Sequence, residues 1–277
     1  MWNIVCDSSC DFKKLETDNP DIRYVTVPFV LSGDGRDFVD TDDLDTEEMT
    51  TYLESINTSP SSACPAPGLW ANEFEDYDQN IALCISKNLS GSFNSVTSAR
   101  EMTLEEYPDK KIEIIDPLGT GPSLMLVVEK IVDWINEGLN FEEVVRKANE
   151  MVEKLNIVFS LCSFENLVRN GRMNRIVGLI ATKLNIWGIG MGVEGRISIV
   201  GKAKGVKKMV ASIVEQMKKT CIDAHRVIIS HCLNPETAEM LRKAIAENFP
   251  KIDISVYPTR GLDSFYAERG GVIVGYY

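Results

Sequence analysis

Histidine is scarce in this 277-residue chain, which has only His225 and His231. An acyl-transfer triad needs a nucleophile, a base and an orienting acid, so a hydrolase would depend on one of these two residues. The chain also lacks the Gly-x-x-x-x-Gly-Lys-Ser/Thr loop of nucleotide hydrolases and the Gly-x-Ser-x-Gly turn of α/β-hydrolases. One enzymatic alternative is left open, a serine hydrolase-like site in which Ser90 or Ser92 works with His231.

Long apolar runs are absent too, and no stretch of 18 apolar residues predicts a membrane span. The first residues have neither a basic n-region nor an apolar h-region, so we expect a cytoplasmic protein. The seven cysteines are odd in number and include no Cys-x-x-Cys pair. This pattern favours free thiols over a disulfide framework or a zinc site, and we expect no metal and no cofactor.

Positive charge is in short supply, with 29 basic against 41 acidic residues and a formal charge of −12. Such a chain repels a phosphate backbone unless a local basic patch compensates. The four lysines within residues 202–208 have no aromatic neighbours, which is more typical of a solvated helix start than of a nucleic-acid site. We therefore expect no nucleic-acid partner.

The most informative segment is an apolar strand, residues 80–85, that leads into Ser90-Gly91-Ser92 and then into a helical pattern. The first N–H groups of a helix lack intrahelical partners and favour an anion, and glycine lets that backbone come close to it. A small anionic group could therefore dock at this turn. Ser90 or Ser92 could equally be a simple helix cap.

The first half of the chain alternates strands and helices, which predicts a mainly parallel βαβ sheet. Its predicted strands are residues 4–6, 24–31, 80–85 and 111–116, and its predicted helices include 49–56 and the segments after Pro122 and Phe141. A proline- and hydroxyl-rich stretch, residues 57–68, is long for a loop, so we interpret it as an ordered binding loop.

The second half is predicted to be α+β, with strands at residues 156–161, 226–230, 252–257 and 272–277. Glu194-Gly195 predicts a hairpin turn, and an apolar helix is predicted through Ile176, Leu179, Ile180 and Leu184. Gly188, Gly190 and Gly192 are interpreted as a strand that other backbone or a ligand approaches closely. The predicted fold is thus α/β with two domains, residues 1–154 and 155–277.

Taken together, several motifs resemble the DegV family of fatty-acid-binding proteins, in that family's order. They are residues 7–11, 62–67, 86–95 and 164–173, followed by 184–186, 194–197 and 200–205, so the resemblance covers essentially the whole chain. Leu89-Ser90-Gly91 with its hydroxyl neighbour is the most specific part. The resemblance implies a DegV-like fold with a long-chain fatty acid, such as palmitate or oleate, held between the two domains.

The resemblance also implies a role for individual residues and a partner. Serine hydroxyls at positions 62 and 90 would hold the carboxylate, and a fatty acid kinase would phosphorylate it, so the protein itself would be a carrier and not an enzyme. The family's histidine is missing near the C-terminus, and Tyr266 or Arg269 is expected to replace it. The full set of expected ligand-binding residues is Ser61, Ser62, Ser90, Gly91, Ser92, Asn94, Tyr266 and Arg269.

Overall fold

A computed structural model gives the structure of the protein, and it describes residues 1–174 and 185–277. The strands are β1 (Trp2–Asp7), β2 (Ile22–Val27), β3 (Val30–Gly33), β4 (Arg36–Val39), β5 (Ser61–Ala63), β6 (Gln79–Leu83), β7 (Lys111–Ile115), β8 (Asn156–Leu161), β9 (Ile186–Val193), β10 (Arg196–Lys204), β11 (Arg226–His231), β12 (Asp253–Pro258) and β13 (Val272–Tyr276).

The helices within the described part of the chain are α1 (Thr46–Ser55), α2 (Pro67–Phe74), α3 (Ser92–Glu106), α4 (Pro122–Asn136), α5 (Phe141–Val152), α6 (Glu165–Arg169), α7 (Val206–Thr220), α8 (Pro235–Asn248) and α9 (Gly261–Ala267). The helix predicted through Ile176, Leu179, Ile180 and Leu184 lies outside the described residues.

The first half builds a four-stranded sheet in the order β2-β1-β6-β7. All three of its strand pairs are parallel, which confirms the predicted βαβ type. The carboxyl ends of the strands therefore meet at one edge, where ligands bind in open α/β sheets. Asp7 ends β1 at this edge, and the Ser90 turn follows β6.

The second half builds a six-stranded sheet in the order β10-β9-β8-β13-β11-β12. Its strands pair antiparallel except for β11 with β12, which confirms the predicted α+β type. The hairpin between β9 and β10 turns at Glu194 and Gly195, whose φ angles are 50° and 72°. Positive φ at both central residues matches the right-handed twist of the two strands.

A third sheet, β4-β3-β5, was not predicted. The single strand expected at residues 24–31 was wrong: β2 belongs to the parallel sheet and β3 to this antiparallel one. The chain leaves the first sheet at Pro28, which has no N–H to donate to a ladder. The predicted loop at residues 57–68 contains β5, which pairs with β3 and places Ser62 opposite Leu31.

Helix α4 joins the two larger sheets. Its buried side chains pack in one hydrophobic cluster with Ile4 and Ile81 of the parallel sheet and with Ile228 of the mixed sheet. Its first residue also lies tightly against β13, because a Cβ added at Gly275 would be 2.7 Å from Pro122 Cβ. The boundary after residue 154 stays a prediction, since this helix packs on both sides of it.

Candidate functional site

A mainly apolar cavity lies where the three sheets and α9 meet. The carboxyl edge of the parallel sheet contributes the loops that follow β6 and β7, and the mixed sheet contributes β8, β9, β10 and β13. The lining residues are Phe29, Ser62, Ile85, Leu89, Ser90, Leu118, Gly119, Thr120, Ile157, Phe159, Leu161, Leu167, Arg172, Gly192, Gly195, Arg196, Ile197, Leu262, Asp263, Tyr266, Ala267 and Ile273. Most of these side chains are apolar, which suits a ligand with a long apolar part.

The glycines of β9 shape the apolar side of the cavity. A Cβ at Gly190 would lie 2.1 Å from the ring of Phe159, and a Cβ at Gly192 would lie 2.3 Å from Ile157. The side chains of β8 thus lie directly over the bare backbone of β9. Close approach was predicted at these glycines, but by backbone or by ligand; the groups that approach Gly190 and Gly192 are instead side chains that line the cavity.

The polar side of the cavity centres on Tyr266 in α9. Its hydroxyl is 2.7 Å from Ser62 Oγ, and the Arg172 guanidinium lies 5.9 Å from the centre of its ring. Burial raises the pKa of Tyr266 above its ordinary value, so the phenol stays protonated at neutral pH. Arg172 itself is fixed by donating from Nε to the Leu89 carbonyl at 3.2 Å.

The loop that carries Ser90 is anchored by the buried carboxylate of Asp7. Asp7 accepts hydrogen bonds from the Ile85 N–H at 3.1 Å and from the Ser92 hydroxyl at 2.7 Å. It therefore ties the end of β6 to the start of α3. Burial raises the pKa of Asp7 to about 6, against the lowering effect of its bonds from Ser9 and Ser92.

The same loop is tied to the second sheet. Ser86 Oγ donates to the Gly195 carbonyl at 2.8 Å, and Asn88 Nδ2 donates to the Glu194 carbonyl at 2.8 Å. A Cβ at Gly195 would lie 2.3 Å from Ser86 Oγ, so the turn must be glycine for this contact to form. These bonds hold the Ser90 loop directly against the β9–β10 hairpin beside the cavity.

Helix α9 is oriented by Asp40. The carboxylate of Asp40 accepts from the N–H groups of Gly261 and Leu262 at 2.9 and 2.8 Å, at the helix end where backbone donors lack partners. The buried Arg260 side chain adds a bond from Nη2 to the Asp40 carbonyl at 3.0 Å. Tyr266, near the other end of the helix, is thereby held toward the cavity.

Of the eight predicted ligand-binding residues, the structure brings Ser62, Ser90 and Tyr266 together around the cavity. Ser61 and Asn94 are exposed, and Gly91 is the exposed cap residue of α3. Ser92 is fully buried and its hydroxyl is already used by Asp7. These four residues do not line the cavity.

Arg269 does not line it either. Its Nε is 3.1 Å from Glu54 and its Nη2 donates to Thr51 at 2.9 Å. Both side chains of the ion pair are exposed, at 40% and 45%. This surface ion pair is the alternative to a role of Arg269 in ligand binding. The cations in the wall are instead Arg172 and Arg196, and neither was predicted as a ligand-binding residue. Arg172 lies within residues 164–173, one of the segments that resemble the DegV family. That position is the sequence feature that could have identified it as a wall residue.

His231 does not line the cavity that Ser90 lines. Its Nδ1 accepts from the N–H of Asn234 at 3.2 Å, where it helps to start α8. Burial lowers its pKa. His231, the base of the hydrolase alternative, is therefore not in the cavity wall, and the Ser92 hydroxyl is bonded to Asp7 instead.

Three further features bear on the kind of site. Within residues 1–174 and 185–277, no helix is both long and apolar enough to cross a bilayer. Over the same residues, no group of three or more His, Cys, Asp or Glu side chains could hold a metal ion. All seven cysteines are free thiols.

Comparison with known proteins places the chain in a family. The family model described as "Uncharacterised protein, DegV family" matches residues 1–276. The chain belongs to the DegV family. A DegV domain-containing protein of Streptococcus pneumoniae (strain R6) is 37% identical over 276 residues, which are 99% of this chain and 98% of the relative.

Solved DegV structures share the fold. The Fatty Acid Kinase (Fak) B3 protein of Streptococcus pneumoniae, loaded with linoleic acid, matches with a TM-score of 0.97 and 36% identity over 99% of this chain and 98% of that one. A DegV family protein from Eubacterium eligens, loaded with heptadecanoic acid, matches with a TM-score of 0.95 and 32% identity over 99% of both chains. The predicted DegV-like α/β fold is therefore confirmed.

Proposed function

We propose that this protein binds a long-chain fatty acid, such as palmitate or oleate, and presents its carboxylate to a fatty acid kinase. The observation that carries the proposal is the mainly apolar cavity with Ser62, Ser90, Arg172 and Tyr266 grouped in its wall. Two similar structures hold fatty acids, and one of them is named as a fatty acid kinase B protein. Both are more than 30% identical to this chain over nearly its full length.

The apolar wall supplies most of the binding free energy in this proposal. A tail of about fourteen methylenes gains roughly 11 kcal/mol on leaving water, at about 0.8 kcal/mol each, before the costs of association are subtracted. Ile157, Phe159 and Ile273 would contact this tail. The head-group contacts then mainly orient the ligand.

The polar cluster would receive the carboxylate. Ser62 and Tyr266 offer hydroxyl donors 2.7 Å apart, and Arg172 offers a cation 5.9 Å from the centre of the phenol ring. Hydrogen bonds to an ionised acceptor are shorter and stronger than neutral ones. Such local donors outweigh the screened net charge of an acidic protein, so an anionic ligand is acceptable here.

A surface groove adjoins this polar end and would give a kinase access to it. Leu89, Arg172, Arg196 and Ile197 line both the groove and the cavity. A carboxylate held at Arg172 would therefore face the opening. The chain would act as a carrier and leave phosphoryl transfer to its partner, consistent with the absence of a phosphate-binding loop in its sequence.

The test is to purify the protein without added lipid and to identify released small molecules by mass spectrometry. We expect a fatty acid in near-stoichiometric amount. With ATP and a fatty acid kinase, the bound acid should be converted to an acyl phosphate only when this protein is present. Stable, empty protein that ignores both palmitate and oleate would overturn the proposal.

A further inference from the structure

Two buried aspartates meet beside Gly121, at the start of α4. Asp11 and Asp263 are 4% and 2% exposed, and Asp263 also lines the cavity. A Cβ placed on Gly121 would lie 2.8 Å from Asp11 Oδ2 and 2.4 Å from Asp263 Oδ2. The two oxygens thus face the same small space, which exists because residue 121 has no side chain.

Each carboxyl group has one oxygen with a donor and one without. Asp11 Oδ1 accepts from the Arg260 N–H at 2.7 Å, and Asp263 Oδ1 accepts from the Thr120 hydroxyl at 2.5 Å. Among the described residues, neither Oδ2 has a hydrogen-bond partner, although the Ser230 hydroxyl lies close enough to Asp11 to lower in part the pKa that burial raises. Two ionised carboxylates this close together and this deeply buried would repel each other strongly. A proton between them is therefore the simplest way to satisfy both oxygens.

The surrounding charges do not remove the need for a proton. Asp40 and Asp7 add negative charge nearby, and the Arg260 side chain is shared with Asp42, 3.0 Å from its Nη1, and with Asp40. Burial raises the pKa of Asp11 to about 7. Burial, followed by the charge of Asp11, raises the pKa of Asp263 in the same direction. On the cavity side, the titratable or charged groups of the wall are Arg172, Arg196 and Tyr266.

We propose that Asp11 and Asp263 share one proton, carried by Asp263, and that this proton determines whether the cavity accepts a carboxylate. The proposal rests on the proposed function. Asp263 precedes Tyr266 by three residues in α9, a spacing that puts both side chains on the same face of a helix. When Asp263 loses its proton, the cavity wall gains a negative charge close to the bound head group.

The sign of the linkage follows from charge. An anionic ligand favours the protonated pair, so binding holds the proton more tightly. Affinity for a fatty acid should therefore be highest at low pH and should fall as pH rises through the pKa of the pair in the empty protein. The decline approaches about tenfold per pH unit for one linked proton. A fatty acid methyl ester carries no charge, and its affinity should stay flat.

The test compares the dissociation constants of palmitate and methyl palmitate between pH 6 and pH 9. In Asp263→Asn the amide can still accept from Thr120 and can donate to Asp11, so the acid's pH profile should become flat. In Asp11→Asn the amide donates to Asp263 and stabilises its ionised form, so the decline should move to lower pH. Glu268→Gln is the matched control: burial also raises the pKa of Glu268, but Glu268 does not line the cavity, and the profile should be unchanged.

A second measurement detects the proton in the absence of lipid. Infrared spectra of the ligand-free protein at neutral pH should show a protonated carboxyl C=O band that is lost in Asp263→Asn. If this band is absent, or if acid and ester affinities change in parallel with pH, the inference is overturned. If the band is present but no fatty acid binds at any pH, the proposed function is wrong, and the proton then has no role in ligand binding.

Discussion

The two sides of the cavity differ in how they would contribute to binding. The mixed sheet presents Ile157 and Phe159 over the glycines of β9 and Ile273 on the neighbouring β13, and its contacts are insensitive to the charge of a ligand. Strand β5 and α9 present Ser62 and Tyr266, and the neighbouring loops present Ser90 and Arg172. Each of these side chains is fixed by its own hydrogen bonds. Affinity should therefore depend on the length of the fatty acid through the apolar side and on its head group through the polar side. Variants on each side can separate these two dependences.

The largest expected effect is on the head-group side. Replacing Arg172 by Met removes a cation that would bond to the carboxylate, and affinity for palmitate should fall by about 1.5 to 3 kcal/mol, the usual range for a hydrogen bond to a charged group. Affinity for methyl palmitate should change little. Isothermal titration of both ligands measures the difference.

The control for this variant is Arg169→Met. Arg169 pairs with Glu165 within α6 and does not line the cavity, so palmitate affinity should be retained. Equal losses for acid and ester in Arg172→Met would show that this side chain only shapes the cavity.

On the apolar side, Gly190→Ala should cost about 1 to 3 kcal/mol of binding, the usual range for overpacking. The new methyl group would lie 2.1 Å from Phe159 Cζ, so the ring must shift into the cavity. Acid and ester should lose affinity equally, and longer chains should lose more than shorter ones.

Gly201→Ala is the matched control in the same hairpin. Its nearest neighbour would be Ile189 Cβ at an ordinary 3.9 Å, so binding should be unaffected. A loss in Gly190→Ala that is confined to the acid would contradict the division of roles between the two sides.

A smaller effect is expected from the hydroxyl pair. Ser62→Ala and Tyr266→Phe should each weaken palmitate binding by about 1 kcal/mol, because the remaining hydroxyl can still donate to the carboxylate. The double variant should lose more than the sum of the two single variants. A double-mutant cycle measures this coupling, and strictly additive losses would mean that the two hydroxyls do not act on the same oxygen atoms.

The smallest effect is expected at Arg269. Its ion pair with Glu54 is exposed, and exposed pairs contribute about 0 to 1 kcal/mol to stability. Arg269→Met should leave the ratio of acid to ester affinity unchanged and should lower the free energy of unfolding only slightly, as measured in urea. A selective loss of acid binding would restore Arg269 as the replacement for the family's histidine.

Local patterns predicted those parts of the site that depend on neighbouring residues. The apolar run before Ser90 and the helical spacing after it predicted β6, the turn and α3, and Glu194-Gly195 predicted the hairpin. In each case the deciding features, a run of apolar residues or a pair of turn residues, lie within about ten positions.

Features that depend on distant partners were not predicted. Strand β5 forms because residues 61–63 pair with β3, which lies much earlier in the chain. Nothing in the composition of residues 61–63 itself indicates a strand. Arg172 enters the wall through a bond to Leu89, and Asp263 meets Asp11 only after the two halves pack together. Arg269 was expected at the site because it lies next to a glycine pair. The residues around Arg269 cannot show that its partner is Glu54, which lies far away in the sequence.

The central claim is that a fatty acid lies in this cavity with its carboxylate at Ser62, Ser90, Arg172 and Tyr266. A crystal structure of the protein loaded with palmitate tests it most directly. We predict carboxylate oxygens within hydrogen-bonding distance of Tyr266 or Ser62 and of Arg172 or Ser90, with the tail against the side chains that β8 and β13 present to the cavity. A head group bound at Arg269, or a reversed palmitate with its methyl end at Tyr266, would contradict the account.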